Sequence, residues 1–424
     1  MVLTYFSMKI SMKKKSYLIH LSLLSVLFCI THSVIAQQDS LTIKNSVTDS
    51  TIYYRLANLE QEVASEKKGE SHFMVVGLAT MGFVLNKTTT NINGVSTITK
   101  TNGFPDADRF EISPMMLWRH GKHLLIEFEP SWDGSALGVN WGDVSYFVKP
   151  GFIVRGGYLV LPFGIYNKRL AAGWINKLGS DPVGISDYLP SSDFGVEIEG
   201  GLPMGNMKWS YDISLTNGNQ LLKDGTIQNA GIVDNNKNKT VTGRLSLLPF
   251  SNSCLELGVS GLYGGVGDVN SIYQNAKSEM YAFDLNFVKN ISGILLNAKT
   301  QYNYTSISNE NYASPVDSTP YSFSNKTNSF FSQLSVRATK APGILNKFEL
   351  AARYVNYTTP VNSIWGAITN EYDVAIDYWF TWRSVIKIVY ESQKINGTVP
   401  INLGGYESNS TQNNRFIIQY SVQF

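Results

Sequence analysis

Phe416-Ile417-Ile418-Gln419-Tyr420-Ser421-Val422-Gln423-Phe424 stands at the C-terminus of the chain. Every second residue from Phe416 onward is apolar, and Gln419, Ser421 and Gln423 fall between. Successive side chains of a β-strand point to opposite faces, so this spacing predicts a strand with two chemically different faces.

The same period of two recurs upstream. Phe194-Gly-Val196-Glu-Ile198-Glu199, Trp209-Ser-Tyr211-Asp-Ile213-Ser-Leu215 and Tyr372-Asp-Val374-Ala-Ile376-Asp-Tyr378 alternate in the same way. Sixteen such segments can be drawn: 71–84, 108–119, 122–131, 139–149, 151–163, 192–203, 206–217, 240–250, 253–264, 277–289, 292–306, 327–341, 345–358, 370–380, 383–391 and 412–424. Each is close to the roughly 9 to 11 residues that a tilted strand needs to cross a bilayer. Tight turns at His120-Gly121, Pro150-Gly151, Met204-Gly205, Ser251-Asn252, Ile291-Ser292, Pro342-Gly343 and Thr381-Trp382 alternate with longer polar connections. A soluble β-sandwich has no reason to keep that alternation, whereas an outer-membrane barrel has short periplasmic turns and long external loops. The expected fold is all-β, a 16-stranded antiparallel transmembrane β-barrel over 71–424 with a short N-terminal periplasmic helix.

The first 36 residues read as an export signal. Lys13, Lys14 and Lys15 precede an apolar stretch from Tyr17 to Ile30, and Val34-Ile35-Ala36 suits cleavage. Lys9 and Lys13 to Lys15 leave with this segment and no acid does, so a net charge of +2 becomes −2 and nucleic-acid binding loses its electrostatic argument. Cys29 leaves too, so Cys254 has no partner for a disulfide within the mature chain. Beyond the signal no apolar run is long enough for a membrane helix. In the linker 37–70, Ile52, Leu56, Leu59 and Val63 share one face of a helix over 53–67. That helix is either a short coiled coil holding a homotrimer or an amphipathic segment at the barrel mouth. The expected location is the outer membrane of a Gram-negative bacterium.

If the apolar faces meet lipid, the alternate positions line the lumen. They carry Glu127, Glu129, Arg155, Glu197, Glu199, Lys208, Asp212, Arg244, Glu256, Asp284, Lys299, Arg353, Asp373, Asp377, Lys387 and Arg415. So many inward charges point to a wet interior, although any one of them can be neutralised across the wall. The longest connection, Gly164 to Ser191, contains Tyr166, Leu170, Trp174, Ile175, Leu178 and Val183, which are wasted in a solvated loop. Such a loop folds back and packs, here into the lumen. Lys168, Arg169, Lys177, Asp181 and Asp187 then set the charge of a constriction.

Gly156-Gly-Tyr158-Leu-Val-Leu-Pro162-Phe163-Gly164-Ile-Tyr166-Asn167, with Phe128 and Glu129 on an earlier strand, resembles the strand-to-loop junction of the phosphate-selective porin O and P family. The resemblance implies a trimeric 16-stranded channel whose inward-folded third loop bears basic residues, with Lys168 and Arg169 at the constriction. The dense lysine cluster of that family is missing from this loop. The terminal strand with Tyr420 and Phe424 resembles the signal by which barrel-assembly machinery recognises its substrates.

The expected function is passive diffusion of small polar or anionic solutes, phosphate-like anions among them, with a weak anion preference and no cofactor. Two other classes compete: an outer-membrane hydrolase, and a surface-binding or structural barrel with a closed lumen. Catalysis finds little footing. His120-Gly-Lys-His123 sits in a tight turn where exposure is the ordinary outcome, and no G-x-S-x-G elbow or H-E-x-x-H pair occurs. Gly258, Gly261, Gly264, Gly265 and Gly267 precede no helix, so they read as strand glycines rather than a phosphate loop.

Overall fold

The computed structural model describes residues 70–104, 110–172, 175–185, 191–229, 234, 239–313, 318–360, 363–400 and 406–424. The signal 1–36, the helix expected at 53–67 and Asp187 lie outside these residues.

The strands are β1 (Ser71–Ile92), β2 (Val95–Gly103), β3 (Glu111–His120), β4 (Leu124–Trp132), β5 (Leu137–Lys149) and β6 (Phe152–Val160). A one-turn helix, α1 (Tyr166–Arg169), is followed by β7 (Ser192–Met204), β8 (Met207–Thr216), β9 (Asn219–Leu221), β10 (Ile227–Asn229), β11 (Thr240–Leu248) and β12 (Leu255–Gly265). Then come β13 (Lys277–Ile291), β14 (Ile294–Ile307), β15 (Tyr312–Ala313), β16 (Pro320–Tyr321), β17 (Lys326–Ala338), β18 (Phe348–Thr358), β19 (Ala367–Thr381), β20 (Ser384–Pro400) and β21 (Tyr406–Gln423).

Each long strand pairs antiparallel with the next, and β21 returns to β1 in the register Leu78 to Gln423 through Ile92 to Asn409. The sheet is therefore closed, which removes the unpaired edges a bilayer does not tolerate. Both β2 and β3 pair with β1 on the same side, β3 against 71–80 and β2 against 84–92. They form one interrupted stave, so the described residues build a closed barrel of sixteen staves.

The sequence pattern ends the first strand near residue 84 and predicts a loop directly after it. Instead β1 runs on to Ile92, turns at Asn93 (φ 50) and Gly94 (φ 82), and comes back as β2. Two left-handed residues match the twist of a two-residue hairpin, and Gly94 N–H donates to Asn91 Oδ1 at 2.9 Å. β20 and β21 likewise extend well past the expected 391 and 412. The outward residues of these extensions are polar, Lys87, Thr89 and Asn91 on β1 among them, so the alternation that marks a strand fades.

The outer face is apolar. Phe283, Leu245, Val374 and Ile376 are each about half exposed, at 49–58%. An aromatic chain runs along the turn rim from Phe348 through Tyr378 and Phe380 to Tyr420, with ring centroids 5.2, 5.0 and 6.3 Å apart. A second girdle, Phe330, Tyr354 and Tyr372, lies nearer the loop rim. Two aromatic girdles flanking an apolar band are what a bilayer selects on a barrel exterior.

Inside, the polar alternate residues are packed rather than bathed. Asp377 and Glu391 have no exposed surface and Lys387 has 1%. The inward charges predict a wet interior; around these residues protein fills it, because residues 161–172 and 175–185 and the loop-rim hairpins pack against the wall. The hairpins β9–β10 and β15–β16 join Phe163, Leu262, Met280 and Phe323 in one apolar cluster.

Candidate functional site: the charged lumen and its crossing segment

The segment after β6 crosses the interior because its backbone finds partners on distant staves. Gly164 N–H donates to Ser260 Oγ on β12 at 3.0 Å, and Ile165 and Tyr166 N–H both donate to Gln301 Oε1 on β14, at 2.9 and 3.0 Å. Gly164 has φ +65, and a Cβ there would sit 2.2 Å from Gln301 Nε2. Only glycine allows this approach.

α1 then presents two cations to the acidic wall. Lys168 Nζ lies 2.8 Å from Glu197, 3.4 Å from Asp212 and 3.7 Å from Glu199. Arg169 pairs with Glu256 on β12. Tyr166 donates its hydroxyl to Asp181, while Asn176 donates to Ser180 O at 3.0 Å, which folds the segment onto itself.

The far half of the segment is clamped by β18, β20 and β21. Arg353 donates to Ser180 O at 2.8 Å, Lys387 to Leu178 O at 3.3 Å and Gln419 to Gly179 O at 3.3 Å. Ile165, Leu170, Ile175 and Ile185 pack on inward-facing Phe331 and Val355. Leu178 seats among Val84, Ala351, Ala375, Val389 and Ile417. These apolar inward residues interrupt the polar lumen face where the segment crosses.

From β4 round to β13 the wall carries a linked charge network. Arg155 lies 2.6 Å from Glu127, 3.2 Å from Asp143, 3.3 Å from Glu199 and 3.9 Å from Glu197. Arg244 bridges Asp284 at 2.6 Å and Glu256 at 3.2 Å. A second network on β18–β21 joins Arg353 to Asp373 at 2.7 Å and to Glu371 at 3.3 Å, with Arg415 2.7 Å from Glu391. The two differ in access. Glu127, Arg155, Lys168, Arg169 and Glu199 keep 17–20% of their side-chain surface exposed, as does Arg415 at the margin of the second network, whereas Arg353, Asp373, Glu371 and Glu391 keep none.

Of the residues singled out in the sequence, Lys168, Arg169, Arg155, Glu127, Glu197 and Arg244 meet in the first network. Glu129 is buried beside it, accepting from Asn140 at 2.9 Å. Lys177 is elsewhere: its ammonium lies 4.4 Å from the Trp379 ring centroid and 3.8 Å from Glu349. Asp181 faces Tyr166 within the segment. Phe424 and Tyr420 lie on the outer surface at the barrel seam, where Phe424 N–H donates to Gly77 O at 3.0 Å. Asp143, Gln301, Glu371 and Glu391 also belong to the site, and the sequence pattern does not single them out. Strand parity could have placed the three acids, but Gln301 matters only through a backbone far away in sequence.

No family model and no curated protein matches the chain. Among solved structures it is similar to the anion-selective porin from Comamonas acidovorans, at 12% identity and TM-score 0.51, covering 83% of this chain and 100% of that one. The outer-membrane channel DcaP of Acinetobacter baumannii aligns at 10% identity and TM-score 0.47, covering 84% of this chain and 97% of that one. At such identity the first likeness establishes the barrel fold.

Proposed function

We propose that the chain is an outer-membrane porin of a Gram-negative bacterium, exported by residues 1–36, through which small polar solutes diffuse passively beside the crossing segment. The observation that carries this reading is the partly exposed charge network of Glu127, Arg155, Lys168, Arg169 and Glu199 beside the crossing segment. A solute path needs polar groups it can reach, and these lie together on one side of the segment.

The charge balance favours cations and neutral polar solutes over phosphate-like anions. Lys168 and Arg169 are each held by carboxylates. The linked network sets seven acids, Glu127, Asp143, Glu197, Glu199, Asp212, Glu256 and Asp284, against Arg155, Lys168, Arg169 and Arg244. The field at a narrow passage depends on that local excess rather than on the near-neutral total. Three barrels held by the helix at 53–67 form the working assembly.

A second reading, a structural barrel with a closed lumen, draws on the complete burial of Arg353, Asp373, Glu371 and Glu391. Planar-bilayer recording separates the two. Stepwise conductance with a cation-leaning zero-current potential is expected of the porin, and membranes that stay silent with fully inserted protein would leave only the closed barrel.

A further inference from the structure

Resting on the outer-membrane reading, we infer that the outward face of the strand extensions, just beyond the apolar band, binds the phosphorylated headgroup of an outer-leaflet lipid. The side chains on the exterior of β1 run Met81, Phe83, Leu85 and then change to Lys87, Thr89 and Asn91. β21 makes the same change from Phe416 to Asn414, and β20 from Tyr390 to Ser392 and Lys394. The band ends at one level on three adjacent strands, where lipid headgroups lie.

At that level three lysines gather. Lys87 on β1 stands directly opposite Lys100 on β2, and residues directly opposite share a face. Lys394 on β20 shares the outward parity of Ile388 and Tyr390, and its pair partner Gln412 is in turn opposite Thr89. All three lysines are exposed. Among the described residues of these extensions the one acid whose side chain is placed, Glu391, points inward and is fully buried.

Two like charges directly across a strand pair are destabilising. An anion between them reverses the sign of that contribution. A lipid phosphate is the occupant that fits, because its acyl chains lie on the adjoining apolar band while its charge meets the lysines. A free anion gains nothing from the band.

The test uses the full-length protein in detergent micelles with three probes: a bisphosphorylated glucosamine glycolipid, the same lipid dephosphorylated, and inorganic phosphate. The wild type should retain the bisphosphorylated lipid and unfold at a higher temperature with it. K87Q/K100Q/K394Q should bind it about tenfold or more weakly. K100E should stabilise the hairpin without lipid, by making an opposite-charge pair, yet lose lipid retention. The charge-matched control K122Q/K149Q/K347Q, at the turn rim, should retain lipid as the wild type does. The inference is overturned if the lysine triple variant keeps its lipid, if the control loses it equally, or if the dephosphorylated lipid or inorganic phosphate stabilises as well. Channel conductance should be unchanged in each variant, because the lysines lie on the exterior, so failure here is separate from failure of the porin reading.

Discussion

The ammonium of Lys168 lies 2.8 Å from Glu197, a carboxylate with 1% of its side chain exposed, and so ties the crossing segment to β7. The pair makes Lys168 a counter-ion of the wall rather than a free positive charge. Each partner left alone exposes the other's field to the passage.

Lys168→Met should therefore move the zero-current potential in a salt gradient further toward cations, and Glu197→Gln should move it toward anions. Lys239→Glu, in an exposed loop where salt screens within about 10 Å, should change little. Equal shifts from all three substitutions would show that the passage does not run past Lys168.

Gly164→Ala should loosen the segment without unfolding the barrel. A left-handed non-glycine residue costs about 1–2 kcal/mol, and the added Cβ would also collide with Gln301. Larger and noisier single-channel currents are expected, with heat-modifiable mobility retained. Currents identical to the wild type would mean the segment does not limit conductance.

Arg353→Met should be the most destabilising of the lumen substitutions. It strands Asp373 without its cation, leaves Glu371 only Arg415 at 3.8 Å, and frees Ser180 O, and removing one partner of a buried pair costs about 3–5 kcal/mol. The thermal transition in detergent should fall clearly, more than for Arg155→Met at its partly exposed site. The reverse ranking would contradict the access difference between the two networks.

Deleting Phe424 should reduce the yield of inserted barrel. The residue exchanges two backbone hydrogen bonds of 3.0 Å with Gly77 at the seam and ends the aromatic-rich terminal strand. Gel mobility before and after heating reports the folded fraction. Equal folded fractions in deletion and parent would remove Phe424 from the assembly signal.

If residues 53–67 form the coiled coil of the proposed trimer, replacing Leu56 and Leu59 with Ser should loosen that assembly while each barrel stays folded, since an apolar seam drives coiled-coil association. The mass of the assembly in detergent decides it. A trimer that survives the double substitution would assign the helix no part in holding it.

What the sequence alone determined is the barrel: the lipid imposes an apolar residue at every second outward position, and that demand is local, so it reads directly from segments such as Phe416 to Phe424. The short turns read out for the same reason. The strand extensions did not, because above the lipid Lys87, Thr89 and Asn91 are free to be polar, and only the Asn93-Gly94 turn marked the hairpin. The lumen needed the tertiary structure throughout. Parity tells that Glu197 and Arg353 point inward, but their partners are chosen by the stagger of neighbouring strands and by a segment that arrives from another part of the chain. That Lys168 is neutralised on β7, that Gln301 receives the backbone of Gly164 to Tyr166, and that Arg353 is fully buried while Arg155 stays partly exposed are all consequences of closure. Closing the sheet brings together residues more than a hundred positions apart, and no local pattern encodes that distance.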